Sequence, residues 1–422
     1  MAESWHSYRD LLALAEEADG GLKESLTRLA EAVKPLGRKL HADEMRVRVA
    51  QGYDALASRR IEVPWTPIAG FKDTLNRRVI DIPPYGYDLS GAVILPGGVV
   101  VLEDIAYITE FRSAASTWRS SGFWGLSPEK FGFAAYERAD ETCVVSVSGE
   151  LAILPDDTPY FFFNSNMATS NFGHFVHDLL CQVIVYDHIS YRLGTKLRPL
   201  LLQETEPAED FQGKPFRYPM LNFLFEELVA PLSEVTLIAE PGVRVARCYA
   251  ANLGLPDPAT EGYSEIAVSG FSYARNRLVA LAERYVSSAP SYRRIYVSRG
   301  DAPRDDSREF HNLIKAEKRI ARLGFQSLMV GRMSVPEVLA AFYAAEHIAG
   351  IHGAGLVNFM FASRLMRMTE LLDYPYSWPS VALMAASLGV DVRRVEALPP
   401  AAATGGLPSL DLSQIEEALL RE

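Results

Sequence analysis

Cysteine is scarce in this chain. Only Cys143, Cys181 and Cys248 occur among 422 residues, and no two of them form a CxxC pair. That excludes a disulfide scaffold and a thiolate zinc framework, and it fits a reducing compartment. Long apolar runs are missing too: no segment approaches the ~18 uninterrupted apolar residues of a membrane span. The opening "MAESWHSYRDLLALAEEADGG" has no basic region leading into an apolar core, so no secretory signal is expected. Positive charge is in deficit, with 42 Lys and Arg against 53 Asp and Glu, and a net charge of -11 speaks against a nucleic-acid surface. There is no GxGxxG, Walker loop, HExxH or short internal repeat. These absences point to a cytoplasmic protein without a nucleic-acid partner. They leave room for peripheral contact with the inner face of a membrane and for a homo-oligomer.

What is present is alternation. Residues 1–60 read as an appended helical segment, with Leu11, Leu12, Leu22, Leu26 and Leu29 at helical spacing. Residues 61–255 begin strand-rich, with "VILPGGVVVL" as a hairpin and "ETCVVSVSGELAIL" as a strand pair. They then alternate: strand "PYFFFN", helix "GHFVHDLLCQVIVYDHISY", strand "LRPLLLQ", helix "PMLNFLFEELVAPL", strands "VTLIAE" and "VRVARCYAA". Such alternation predicts a mostly parallel sheet covered on both faces. "GLPDPATEG" (254–262) reads as a linker. Residues 256–398 resume with strands "RRIYVSR", "QSLMV", "HIAGI", "MRMTELL" and "DVRRVEAL", giving a doubly wound sheet of at least four parallel strands. Residues 399–422 are a connector and a terminal helix. The fold class is α/β, and ligands in such folds bind at strand C-termini.

Three stretches carry chemistry. In "NSNMATSNFGHFVHDLL", Asn171 and Gly173 stand where a strand gives way to a helix, and Asn is a natural cap there. His174 and Asp178 are four residues apart and His174 and His177 three, so one helix face gathers them. An imidazole and a carboxylate one turn apart form a general-base arrangement. In "IAGIHGAGLVNFMF", a strand ends and His352, Gly353, Ala354 and Gly355 lead into a helix, a geometry that presents backbone N–H groups and a helix dipole to phosphate. In "YRRIYVSRGDAPRD", four arginines fall between 293 and 304, and Arg299 is aimed at the C-terminal edge by its strand. Glu370, near the end of "MRMTELL", is suited to accept from a ribose diol.

Together, "NFGHFVHD", "RRIYVSR", "MSVPEVLAAFYAAEHIAGIHGAGLVNFMFA" and "ELL" resemble, in order, the motifs of family 61 glycosyltransferases, a group that includes bacterial capsular-polysaccharide enzymes. The resemblance covers about residues 90–395. The chain departs from the family pattern at Asn312-Leu313, at Pro336-Glu337-Val338 and at Phe175. The resemblance implies a GT-B architecture, two Rossmann-like domains facing a cleft with the nucleotide-sugar on the C-terminal one. It also implies an inverting hexosyl- or pentosyltransferase that needs no metal or other cofactor. The donor would be a UDP-sugar and the acceptor a growing surface glycan. In that reading Asp178, oriented or assisted by His174, removes the acceptor proton, with His174 as the other candidate base. Asn171, Gly173 and His177 support them. Arg294, Arg299, the His352–Gly355 turn, Asn358 and Glu370 bind the donor. Two other readings stay open: a metal-assisted hydrolase built on "GHFVHD", and a non-catalytic nucleotide-sugar-binding scaffold.

Overall fold

The run Tyr160-Phe161-Phe162-Phe163 is apolar at every position, so whichever way its side chains alternate, both faces of its strand must be covered. A computed structural model shows how. It describes most of residues 45–65, 80–108, 133–202 and 211–420, leaving out 66–79, 109–132, 203–210, 301–309, 374–379 and some shorter loops. The expected helices before residue 45 lie outside the described residues.

Strands β1 (Arg60–Glu62), β2 (Tyr85–Asp88), β3 (Tyr160–Phe163), β4 (Arg198–Leu202), β5 (Thr236–Ile238) and β6 (Cys248–Ala251) form one sheet in the order β5-β4-β3-β6-β2-β1. β5, β4, β3 and β6 are mutually parallel, and β2 and β1 are added antiparallel. Phe161, Phe163 and Leu201 face a helix-covered core. Tyr160, Phe162, Leu200 and Leu202 face the other way, against Ile94, Val100, Leu102 and Tyr107. Those last residues belong to an eight-stranded sheet that includes Met45–Gln51, Val93–Leu95, Val99–Leu102 and Ile105–Ile108. The sheet is therefore covered on both faces as expected, by helices on one and by a second sheet on the other.

Two expectations change. Met45–Gln51, assigned to a helical segment, is a strand, because "MRVRVAQ" alternates with period two. Thr142–Val147 and Ala152–Ile153 share the eight-stranded sheet without pairing with each other. The hairpin at 93–102 is antiparallel as expected.

The second α/β unit holds β7 (Arg294–Val297), β8 (Gln326–Leu328), β9 (His347–Ile351), β10 (Arg367–Leu372) and β11 (Asp391–Glu396), all parallel, in the order β8-β7-β9-β10-β11. This is a doubly wound order with its reversal at β7 and β9, so the C-terminal ends of those two strands flank the switch point.

Helices α1 (Val183–Leu193), α2 (Pro219–Leu228) and α3 (Val268–Glu283) complete the core between the units. α3 had no counterpart in the sequence reading. Phe271, Ala274, Leu278 and Leu281 recur at helical spacing and are buried in one cluster that reaches Phe161 and Phe163 on one side and Ile295, Val297 and Ile348 on the other. Each fully buried Phe, Leu or Ile contributes about 1.5–3 kcal/mol, so this layer is a large share of the folding energy. A polar tie crosses it: Tyr273 Oη donates to Asp187 Oδ2 at 2.6 Å, and Arg277 pairs with the same carboxylate.

Candidate active site

The chain leaves β3 at Asn164 and enters a helix at Phe172, where the Asn171 side chain accepts from the N–H groups of Gly173 (2.8 Å) and His174 (3.3 Å). A plain α-helix does not follow. One α turn (Phe172–His174) passes into a π turn (Phe175–Leu179), then a 3-10 turn (Leu180–Gln182), then α1. π turns recur at functional sites because the extra residue re-aims side chains. Gln182 braces this one: its Nε2 donates to the carbonyls of Asp178 (2.7 Å) and Asn164 (3.3 Å).

The result is a carboxylate held by two imidazoles. His174 Nδ1 lies 2.7 Å from Asp178 Oδ2, and His177 Nδ1 bonds Oδ1. The Asp178 side chain is 3% exposed, that of His177 10% and that of His174 28%. Burial pushes the Asp178 carboxyl up, but the neighbouring His177 charge and the hydrogen bonds from both histidines outweigh it, leaving it below the ordinary carboxylate range. An ionised carboxylate only accepts, so both Nδ1 atoms carry hydrogen and each Nε2 faces away from Asp178. His174 is the more exposed of the two.

The second half lies at the ends of β7 and β9. His352 follows β9 and is buried, and its Nδ1 is 2.5 Å from Glu370 Oε1. Glu370, on β10, is 0% exposed and its other oxygen accepts from Arg394 Nε on β11 at 3.0 Å. The carboxylate expected to hold ribose is thus engaged within the sheet. Arg299, half-buried, donates through Nη1 to the His352 carbonyl at 3.4 Å. Gly353 has φ +151°, and a Cβ there would collide with the Arg299 guanidinium. The expected helix follows as a 3-10 helix, Ala354–Phe361, and Asn358 Nδ2 donates back to the Gly355 carbonyl at 2.7 Å.

The two halves meet. Gly173 packs on Ala354, so that a Cβ at 173 would sit 3.6 Å from the Ala354 Cβ, and the rings of Phe172 and Phe361 are 6.3 Å apart. Asn171, Gly173, His174, His177, Asp178, Arg299, His352, Gly353, Ala354, Gly355, Asn358 and Glu370 therefore gather in one region. Arg294 does not, which corrects its placement beside Arg299. It is the first residue of β7, five residues from Arg299, and strands rise about 3.3 Å per residue, so about 16 Å of strand separates them. There it donates to the Leu323 carbonyl at 3.1 Å. Arg304 lies outside the described residues. Reading the sequence alone missed Gln182 and Arg394. The second left a trace, because "DVRRVE" puts arginines on the strand beside Glu370. Among the described residues, no group of three or more His, Cys, Asp or Glu side chains is arranged to hold a metal ion, and no helix is long and apolar enough to cross a membrane.

The arginine-rich N-terminal edge has its own consequence. Burial, then Arg367, Arg294 and Arg393, push the His347 pKa from 6.5 down to about 3. Between those values the unfolded chain binds a proton that the folded protein refuses. The stability involved is complete above pH 6.5 and is lost as the pH falls toward 3. About 2 kcal/mol should go by pH 5. His347→Gln should flatten the melting temperature against pH over this window; an unchanged slope would show that another group dominates.

Residues 172–369 match the family described as Glycosyltransferase 61. No curated protein matches the chain.

Proposed function

We propose that the chain, whose residues 172–369 match glycosyltransferase family 61, works as a member of that family and moves a sugar, with inversion, from a nucleoside-diphosphate donor to a glycan hydroxyl. The observation carrying this reading is the packing of Gly173 on Ala354, which sets the Asp178 cluster beside the turn that follows β9. A base and a leaving-group cradle are the two things that this reaction needs.

In this mechanism the acceptor hydroxyl gives its proton to His174 Nε2. Asp178 fixes the tautomer of His174 through Nδ1–H, and His177 holds the other oxygen of Asp178. His174 is preferred to Asp178 as the base because both carboxylate oxygens are already bonded and the side chain is 3% exposed. The acceptor oxygen bonds the anomeric carbon as the bond from that carbon to the β-phosphate oxygen breaks. The departing diphosphate is met by Arg299 and by N–H groups at the start of the Ala354–Phe361 helix, which no residue of that helix can satisfy. Each such donor contributes about 3 kcal/mol to the transition state, by analogy with oxyanion-hole groups.

The architecture proposed is GT-B-like, with the acceptor on the side of β3 and the donor on the doubly wound sheet. A UDP-sugar donor and a surface or capsular glycan acceptor, met at the cytoplasmic face of a membrane, complete the reading on the strength of the family resemblance. Thermal denaturation with UDP-, GDP- and dTDP-sugars tests it. The true donor should stabilise by mass action, about 2.7 kcal/mol at a hundred times its Kd, and should release its nucleoside diphosphate when acceptor is added. If no nucleotide or nucleotide-sugar shifts the transition, the reading fails.

A further inference from the structure

At the end of the second sheet remote from the candidate site, the first residues of the strands form a rim of their own. Arg294, His347, Arg367 and Asp391 open β7, β9, β10 and β11 and are cross-strand neighbours, about 4.8 Å apart from one strand to the next. The loops that feed these strands add Arg293, Glu346, Arg364 and Met366, and Arg393 follows on β11. Five arginines thus stand here against two carboxylates, in a chain whose net charge is -11. Neighbouring groups feel the excess. The Arg293 hydrogen bond to Glu346, joined by the fields of Arg293, Arg364 and Arg294, holds that carboxyl below its ordinary range. His347 is kept neutral by burial and then by Arg367, Arg294 and Arg393.

Two features set the kind of partner. The arginines are spread along an edge instead of converging on a point: Arg294 donates to the Leu323 carbonyl at 3.1 Å, Arg293 bonds Glu346 at 2.6 Å, and exposed Arg364 makes no hydrogen bond or ion pair among the described residues. Between Arg364 and Arg367 stands Met366, an apolar side chain left 65% exposed. A depression of about 680 Å³ opens along the same rim, lined by Tyr292, Arg293, Arg294, Phe325 and Glu346. A row of guanidinium groups around a protruding apolar side chain matches a surface that offers many phosphates above hydrocarbon. A single soluble phosphate would need its donors gathered on one spot.

We propose that this rim seats the protein on a membrane of anionic phospholipid, with the arginines at the headgroup phosphates and Met366 below them. Charge is felt over about 8 Å at physiological salt, so the acidic remainder of the chain repels the bilayer only weakly. Seated this way, the candidate site at the far end of β7 stands up to about 16 Å farther from the bilayer than Arg294 does.

The experiment sediments the full chain with vesicles of phosphatidylcholine, with and without about 30% phosphatidylglycerol. The expected result is binding to the anionic vesicles alone, weakening as sodium chloride is raised. Arg293→Ser and Arg364→Ser should each lower the partition coefficient about fivefold and flatten its salt dependence. Met366→Ser should lower it too, with the salt dependence unchanged. All three side chains are exposed, so each variant should melt with the wild type. Failure of the wild type to bind anionic vesicles overturns the proposal, and so does undiminished binding by the double arginine variant. Saturable calorimetric binding of inorganic phosphate that Arg364→Ser removes would make the rim a soluble-anion site and overturn the lipid assignment. Vesicle binding needs no turnover, so this surface stands or falls apart from the transferase reading.

Discussion

Asp178→Asn should lower kcat by about 10²- to 10⁴-fold, the range that general-base catalysis supplies. The substitution is nearly isosteric, but it replaces an acceptor of two N–H bonds by one acceptor oxygen and one donor NH2. Either His174 or His177 must then rotate or change tautomer. If it is His174, Nε2 acquires the hydrogen and the base is gone. His174→Ala should cost a similar factor. The double variant should cost little more than either single one, because the two groups act as a unit. The measurement is kcat for transfer at saturating donor. A near-normal rate in both single variants would remove the base assignment. On the acid side, Asp178 is held ionised partly by the His177 charge. His177→Phe should therefore raise the Asp178 pKa, which titration of the Asp178 side-chain carboxyl followed by NMR would read directly.

The second large effect is expected at Arg299, in the cradle proposed for the diphosphate. Arg299→Ala should reduce kcat about 10²- to 10³-fold, as removal of a preformed transition-state donor does elsewhere. Arg299→Lys should restore only part of this, because an ammonium cannot span two oxygens in a plane. Gly353→Ala attacks the same group from behind. Its Cβ would enter the space of the guanidinium, at a φ of +151° that L side chains rarely adopt. Loss of activity and about 1–3 kcal/mol of stability should appear together. An active, fully stable Gly353→Ala protein would mean that Arg299 need not stand where it does.

Much of this site was legible before any coordinates. Four-residue spacing puts His174 and Asp178 on one face, and an apolar strand running into "HGAG" marks a strand–turn–helix junction. The cap at Asn171 is similarly local. What escaped was set by distant partners. The π turn depends on Gln182 reaching back to Asn164, eighteen residues away. The Glu370–Arg394 bond depends on β11 lying beside β10, and strand order is not written in either strand. Arg294 and Arg299 look like neighbours in sequence, yet an extended chain holds them at opposite ends of a sheet. Residues 45–51 follow leucines at helical spacing, yet their own arginine–valine alternation has the period of a strand.

The layer around α3 has one more implication. Side chains of Phe271, Ala274, Leu278 and Leu281 are buried with residues from both α/β units. Swinging one unit away from the other would have to wet that shared hydrocarbon, at about 25 cal/mol for each Å² uncovered, so α3 acts as a brace against hinge motion.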